Sequence, residues 1–126
     1  MSARLAIVAA SILMAVAVAL GAFGAHALKA RVAPEMVAVW QTGVTYHAWH
    51  AIGLLLLGLL MLHAPGTAAF RVAAWLFIAG IALFAGSLYL LALGAPRGVG
   101  AITPFGGFAF IAGWIALAIG AWMSRA

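Results

Sequence analysis

Four apolar runs, separated by short polar or Gly/Pro-rich connectors, occupy nearly the whole chain, over about residues 5–28, 44–62, 70–93 and 103–123. Each approaches or exceeds the roughly twenty residues with which a helix, rising about 1.5 Å per residue, crosses about 30 Å of hydrocarbon. The composition agrees, at 69% hydrophobic and 6% charged, where soluble domains hold roughly half apolar and a quarter charged residues. Mean hydropathy is +1.28. The chain therefore reads as an all-α membrane protein, one four-helix transmembrane domain over 1–126. Short connectors predict an up-down-up-down antiparallel bundle with both termini on one side. No length remains for a soluble catalytic domain.

The first run follows Arg4, and Ala25-His26-Ala27 has the small-x-small form of a signal cleavage site. The run is longer than the 7 to 15 or so residues of a signal h-region, so an uncleaved span is expected. Pro34 and Glu35 suit a helix first turn, and Pro34 to Gln41 reads as an interfacial turn or tilted lead-in before a span from Val44 to Leu62. Pro65 and Gly66 break the chain after it. A Gly/Pro-rich loop spans Gly94 to Ala101, and Thr103-Pro104 resembles an N-cap followed by proline at the first helical position.

Six Lys or Arg face a single acid, Glu35, for a net charge of +5. The basic residues lie singly at helix ends, as topology determinants and lipid contacts do, which argues against nucleic-acid binding. Arg4, Arg71 and Arg125 fall on the terminal side and Lys29, Arg31 and Arg97 on the other, so charge leaves the orientation tied. With no Cys there is no disulfide, thiolate nucleophile or Cys-ligated metal.

Antiparallel threading brings an otherwise scattered set of polar residues to one half of the bundle: His26, Gln41, Thr42, Thr45, Tyr46, His47, His50, Ser87, Tyr89 and Thr103. Thr42, Tyr46 and His50 repeat at i, i+4 and i+8. Unpartnered in lipid, such groups cost a few kcal/mol each, so they are expected to turn inward and converge. They either pin the helices together, with Trp40, Tyr46 and Trp49 as an interfacial aromatic belt, or form a binding site. A metal or haem on His26, His47 and His50 is permitted by the His-x-x-His spacing, but no carboxylate supports it, and no cofactor is expected. Proton-coupled transport lacks an intramembrane acid, and Ser11 and Ser87 lack a base partner for hydrolysis. Small residues four apart, Ala17-Gly21-Ala25, Ala82-Gly86 and Ala112-Ala116-Gly120, predict close helix approach.

The segments GAFGAHAL (21–28), WQTGVTYHAWHAIGLL (40–55), LFAGSLYLLALG (83–94) and ITPFGGFAFIAGW (102–114) closely resemble, in order, the signature stretches of domain-of-unknown-function family 423, the transmembrane-protein-256-like family. The resemblance implies a small four-span membrane protein without an assigned activity. It points to His26, Gln41, Thr42, Tyr46, His50, Ser87, Tyr89 and Thr103 as the matching polar set, and to Gly21, Gly24, Gly86, Gly106 and Gly107 as helix-packing positions. The family's usual residue at position 47 looks like Gln, so His47 departs from the pattern, against an essential two-His metal site. Family members also look more basic at the second loop and C-terminus, which implies termini inside.

Two functions remain open. The favoured one is a non-enzymatic structural or accessory component of a membrane complex or homo-oligomer, in a bacterial plasma membrane with cytoplasmic termini. The alternative is a small transporter or ligand-binding membrane protein using the polar cluster. No Arg- and Ser-rich leader suggests an organelle.

Overall fold

A computed structural model describes residues 1–65 and 67–124. Gly66 of the expected breaker and Arg125 of the charge count lie outside the described residues. Four helices are long and apolar enough to cross a membrane, and no strand occurs among the described residues. They are α1 (Ala3–Ala25), α2 (Pro34–His63), α3 (Ala68–Ala92) and α4 (Thr103–Met123).

Local chemistry sets their ends. Ser2 caps α1 by accepting from the Leu5 N–H at 3.1 Å, as a serine N-cap does. A short 3-10 turn, Leu28–Ala30, follows α1. Ala33, before proline, is extended at φ −61° and ψ 152°, since the ring disfavours helical backbone there, and Pro34 opens α2. The expected lead-in over 34–41 is no separate element. Nothing between Gln41 and Val44 breaks the hydrogen-bond ladder, so α2 runs unbroken for 30 residues, about 45 Å. That exceeds the hydrocarbon thickness, so at least one end of α2 extends to headgroup depth.

Helix α3 contains a π-turn at Ile81–Ala85. It ends where Gly94 takes φ +100°: the Ala95 N–H bonds the Leu90 carbonyl at 2.9 Å and the Gly94 N–H that of Leu91 at 3.1 Å, the paired closure of a glycine C-cap. Arg97–Ala101, expected as open loop, winds into a 3-10 turn. Pro104 sits in the first turn of α4, but the Thr103 hydroxyl makes no N-cap bond. It is drawn to Ser87 instead.

Packing is sequential. Gly24 and Gly21 of α1 meet Trp40 and Val44 of α2, and Ile7 meets Gly58; Gly43 and Gly53 of α2 meet Tyr89 and Phe77 of α3; Phe70, Phe77 and Phe84 of α3 meet Gly120, Gly113 and Gly106 of α4. In each pair, contacts climb one helix as they descend the other. No comparable backbone packing joins α1 to α4 or α2 to α4 among the described residues. The larger core gathers Ala6, Ala10, Leu54, Leu57, Met61, Phe70 and Phe77, and a smaller one joins Leu28, Trp40 and Ala92. Outward faces are apolar, with Val18, Phe105, Phe108 and Trp122 exposed. Lipid tails solvate such faces as well as a core would, so exposure there carries no penalty.

Candidate functional site

The expected polar cluster resolves into separate pairs. His50 is buried on α2, its Nδ1 2.7 Å from the Tyr46 carbonyl and its Nε2 3.0 Å from the Trp114 indole nitrogen on α4. An indole N–H only donates, so Nε2 is the acceptor and Nδ1 carries the proton that goes to the carbonyl. Both ring nitrogens are thus engaged. The imidazole stacks on Phe110, ring centroids 3.5 Å apart.

One turn earlier, buried His47 faces the other way. Its Nδ1 lies 2.8 Å from the Tyr89 hydroxyl on α3, and its Nε2 is buried without a partner. The third pair joins α3 to α4. Ser87 bonds the Phe84 carbonyl at 2.9 Å and the Thr103 hydroxyl at 2.6 Å. Ser87 has one proton, which the carbonyl takes, so Thr103 donates to Ser87.

Other members of the expected set stay outside. His26 is exposed just beyond α1, and Gln41, Thr42 and Thr45 are exposed on α2. Thr42 bonds the Ala38 carbonyl of its own helix at 3.1 Å. His26 and Gln41 lie toward helix ends, where headgroups and water satisfy them, and a threonine hydroxyl on a helix has a carbonyl of its own preceding turn within reach, so no inward turn is enforced. Because His26 is apart, His47 faces Tyr89 and His50 is engaged at both nitrogens, the three imidazoles do not converge. No group of three metal-ligating side chains occurs among the described residues.

Tryptophans carry contacts that the polar inventory missed. Trp40, expected in an interfacial belt, is buried and donates its N–H to the Leu20 carbonyl at 2.8 Å. Trp114 was not in the expected set at all. Its signal was present in the sequence: an indole N–H within a span needs an acceptor. Trp49 does remain exposed, beside Tyr46.

The glycines divide as well. Gly24 lies under the Trp40 indole and Gly106 against the Phe84 backbone, while Gly21 just meets Val44. Gly86 has nothing within 4 Å of where a Cβ would stand, and Gly107 only ordinary contact with the Phe84 ring at 3.9 Å, so neither is required for close approach. Gly43, Gly58, Gly80 and Gly113, outside the expected set, make closer approaches. Ala25, Ala82 and Ala112 of the expected stripes point outward.

Between α2 and α4, whose backbones do not pack closely along their length, lies a lateral groove of about 450 Å³. Its walls are Tyr46, Trp49, Phe84, Phe110 and Trp114, with His50 behind them.

The family described as "Protein of unknown function (DUF423)" matches residues 20–107, a stretch that includes the first three of the segments quoted above and the start of the fourth. The chain is 47% identical to the UPF0382 membrane protein YwdK of Bacillus subtilis, over 83% of this chain and 85% of that one. It is 41% identical to a UPF0382 membrane protein of Staphylococcus haemolyticus, over 92% and 93%, and 46% identical to one of Staphylococcus epidermidis, over 82% and 83%. No solved structure matches. Four membrane-length helices and relatives named as membrane proteins make this a membrane protein, and the chain belongs to the DUF423 family, whose activity is unknown.

Proposed function

We propose that the chain is a non-enzymatic structural or accessory membrane component, acting as a homo-oligomer or beside other subunits. The observation that carries this is the use made of its buried polar side chains. His50 with Trp114, His47 with Tyr89 and Ser87 with Thr103 each tie one helix to another. Side chains spent on such ties hold a shape, and exposed α1 and α4 faces leave room for neighbouring subunits. The bacterial source of the relatives supports a plasma-membrane location. The threading proposed is up-down-up-down with both termini cytoplasmic.

Purification in mild detergent followed by native mass measurement tests the reading. A defined homo-oligomer or co-purifying subunits support it. A lone monomer carrying a stoichiometric small molecule overturns it in favour of a ligand-binding role, for which the groove between α2 and α4 is the specific observation.

A further inference from the structure

We propose that the groove between α2 and α4 is a binding site for a membrane-soluble molecule with a flat, unsaturated ring that carries a hydrogen-bond acceptor. This rests on the groove alone and holds whether or not the chain joins a larger assembly.

The surrounding solvent narrows the ligand class. Inside a bilayer an acyl chain gains no hydrophobic drive on entering a groove, because it leaves an equally apolar medium. Selection must come from packing, ring–ring geometry and hydrogen bonds. The groove offers these. Tyr46 lies 4.7 Å from Phe84, and Phe84 5.6 Å from Phe110, centroid to centroid and tilted, so the walls present both ring faces and ring edges to a planar guest. Its volume of about 450 Å³ falls in the range of small-molecule sites.

The polar groups divide in a way that sets the ligand's chemistry. His50 is saturated by Tyr46 and Trp114, and the Trp114 N–H is spent on it, which holds the indole as a wall. The Tyr46 hydroxyl and the Trp49 indole N–H make no hydrogen bond among the described residues. The indole N–H only donates, and the phenol hydroxyl, which both donates and accepts, is free to donate as well, so an acceptor such as a ring carbonyl is the one group that both can bond.

Gly107 lines the groove, yet helix packing does not demand a glycine there, since a Cβ would meet only the Phe84 ring at 3.9 Å. A glycine in a helix interior is otherwise a cost. What its missing side chain preserves is the space.

The test uses the full chain, labelled with fluorotryptophan, in phosphatidylcholine nanodiscs and titrated with menadione, a small naphthoquinone. The chain has no Cys for it to alkylate. Fluorine NMR should show saturable shifts at Trp114 and Trp49 while Trp40, Trp75 and Trp122 move little. Gly107→Leu should abolish the saturable shift. If that variant does not fold, Ile111→Phe narrows the groove from an already exposed wall and should weaken binding. Tyr46→Phe should bind menadione about fivefold more weakly, the scale of one hydrogen bond, but bind methylnaphthalene as the unaltered chain does. Equal, unsaturable shifts at all five tryptophans, or saturation unchanged by the groove-filling variant that folds, would overturn the proposal. Oligomer state and partners are read separately, so this failure is distinct from failure of the structural role.

Discussion

The Trp114 indole N–H reaches 3.0 Å to Nε2 of His50 and ties α4 to α2 across a gap that the helix backbones leave open. Removing the acceptor by His50→Leu should cost about 1 kcal/mol if only an average interhelical bond is lost, and more if the indole N–H is stranded. Trp114→Phe in the His50→Leu background should then cost less than in the unaltered chain. Unfolding in mixed micelles measures the cycle. Strictly additive losses would show that the two side chains are not coupled.

His47 and Tyr89 give a different pattern. Tyr89→Phe leaves a buried imidazole with neither nitrogen partnered, because Nε2 already has none, and should destabilise by about 1–3 kcal/mol. Adding His47→Leu removes the stranded group and should restore much of the loss. A double variant as unstable as the sum of the singles contradicts the pairing.

Gly24 and Gly86 separate a packing glycine from an incidental one. Gly24→Leu drives a side chain into the Trp40 indole and should cost about 1–3 kcal/mol, as overpacking does. Gly86→Ala, with open space around its Cβ position, should be neutral or stabilise by up to about 1 kcal/mol. Thermal or detergent unfolding of both variants decides the contrast, and a severe loss in Gly86→Ala defeats it.

Orientation is open to chemistry. With cytoplasmic termini, the segment around Ala95 faces outward, so Ala95→Cys should react with an impermeant thiol reagent added to intact cells. Reaction only after the cells are opened places this loop inside and reverses the proposed threading.

Metal content is equally direct. Both His50 nitrogens are engaged and His47 Nδ1 is taken by Tyr89, so elemental analysis of the purified chain should find no stoichiometric transition metal. One metal per chain, lost in His47→Ala, is the contrary result.

Much of the fold was legible because lipid imposes a crude and strong rule: long apolar runs must become helices that satisfy their own backbone. The four helices, the breaks after His63 and at Gly94, and the opening of α2 at Pro34 follow from run length and from proline and glycine chemistry. The same rule marked His50, Ser87, Tyr89 and Thr103 as groups in need of partners, and each makes a side-chain hydrogen bond to another helix. It could not choose the partners. Thr103 looked like a cap because local sequence offered it only its own helix, whereas the tertiary approach of α3 brought Ser87 within 2.6 Å. Trp40 read as part of an interfacial belt and Trp114 had no assigned role, because a donor's acceptor on another helix, Leu20 or His50, has no local signature.

By itself, then, the sequence determined the number and lipid setting of the helices and where proline and glycine interrupt the chain between them, since those depend on local backbone satisfaction and hydropathy. Tertiary structure alone decided which faces meet. Helical rotation is set by side-chain shape where no solvent contrast orients an apolar helix. That is why Gly107, indistinguishable in sequence from the packing glycine Gly106 beside it, lines an open groove, and why His47 and His50, three residues apart, face different helices.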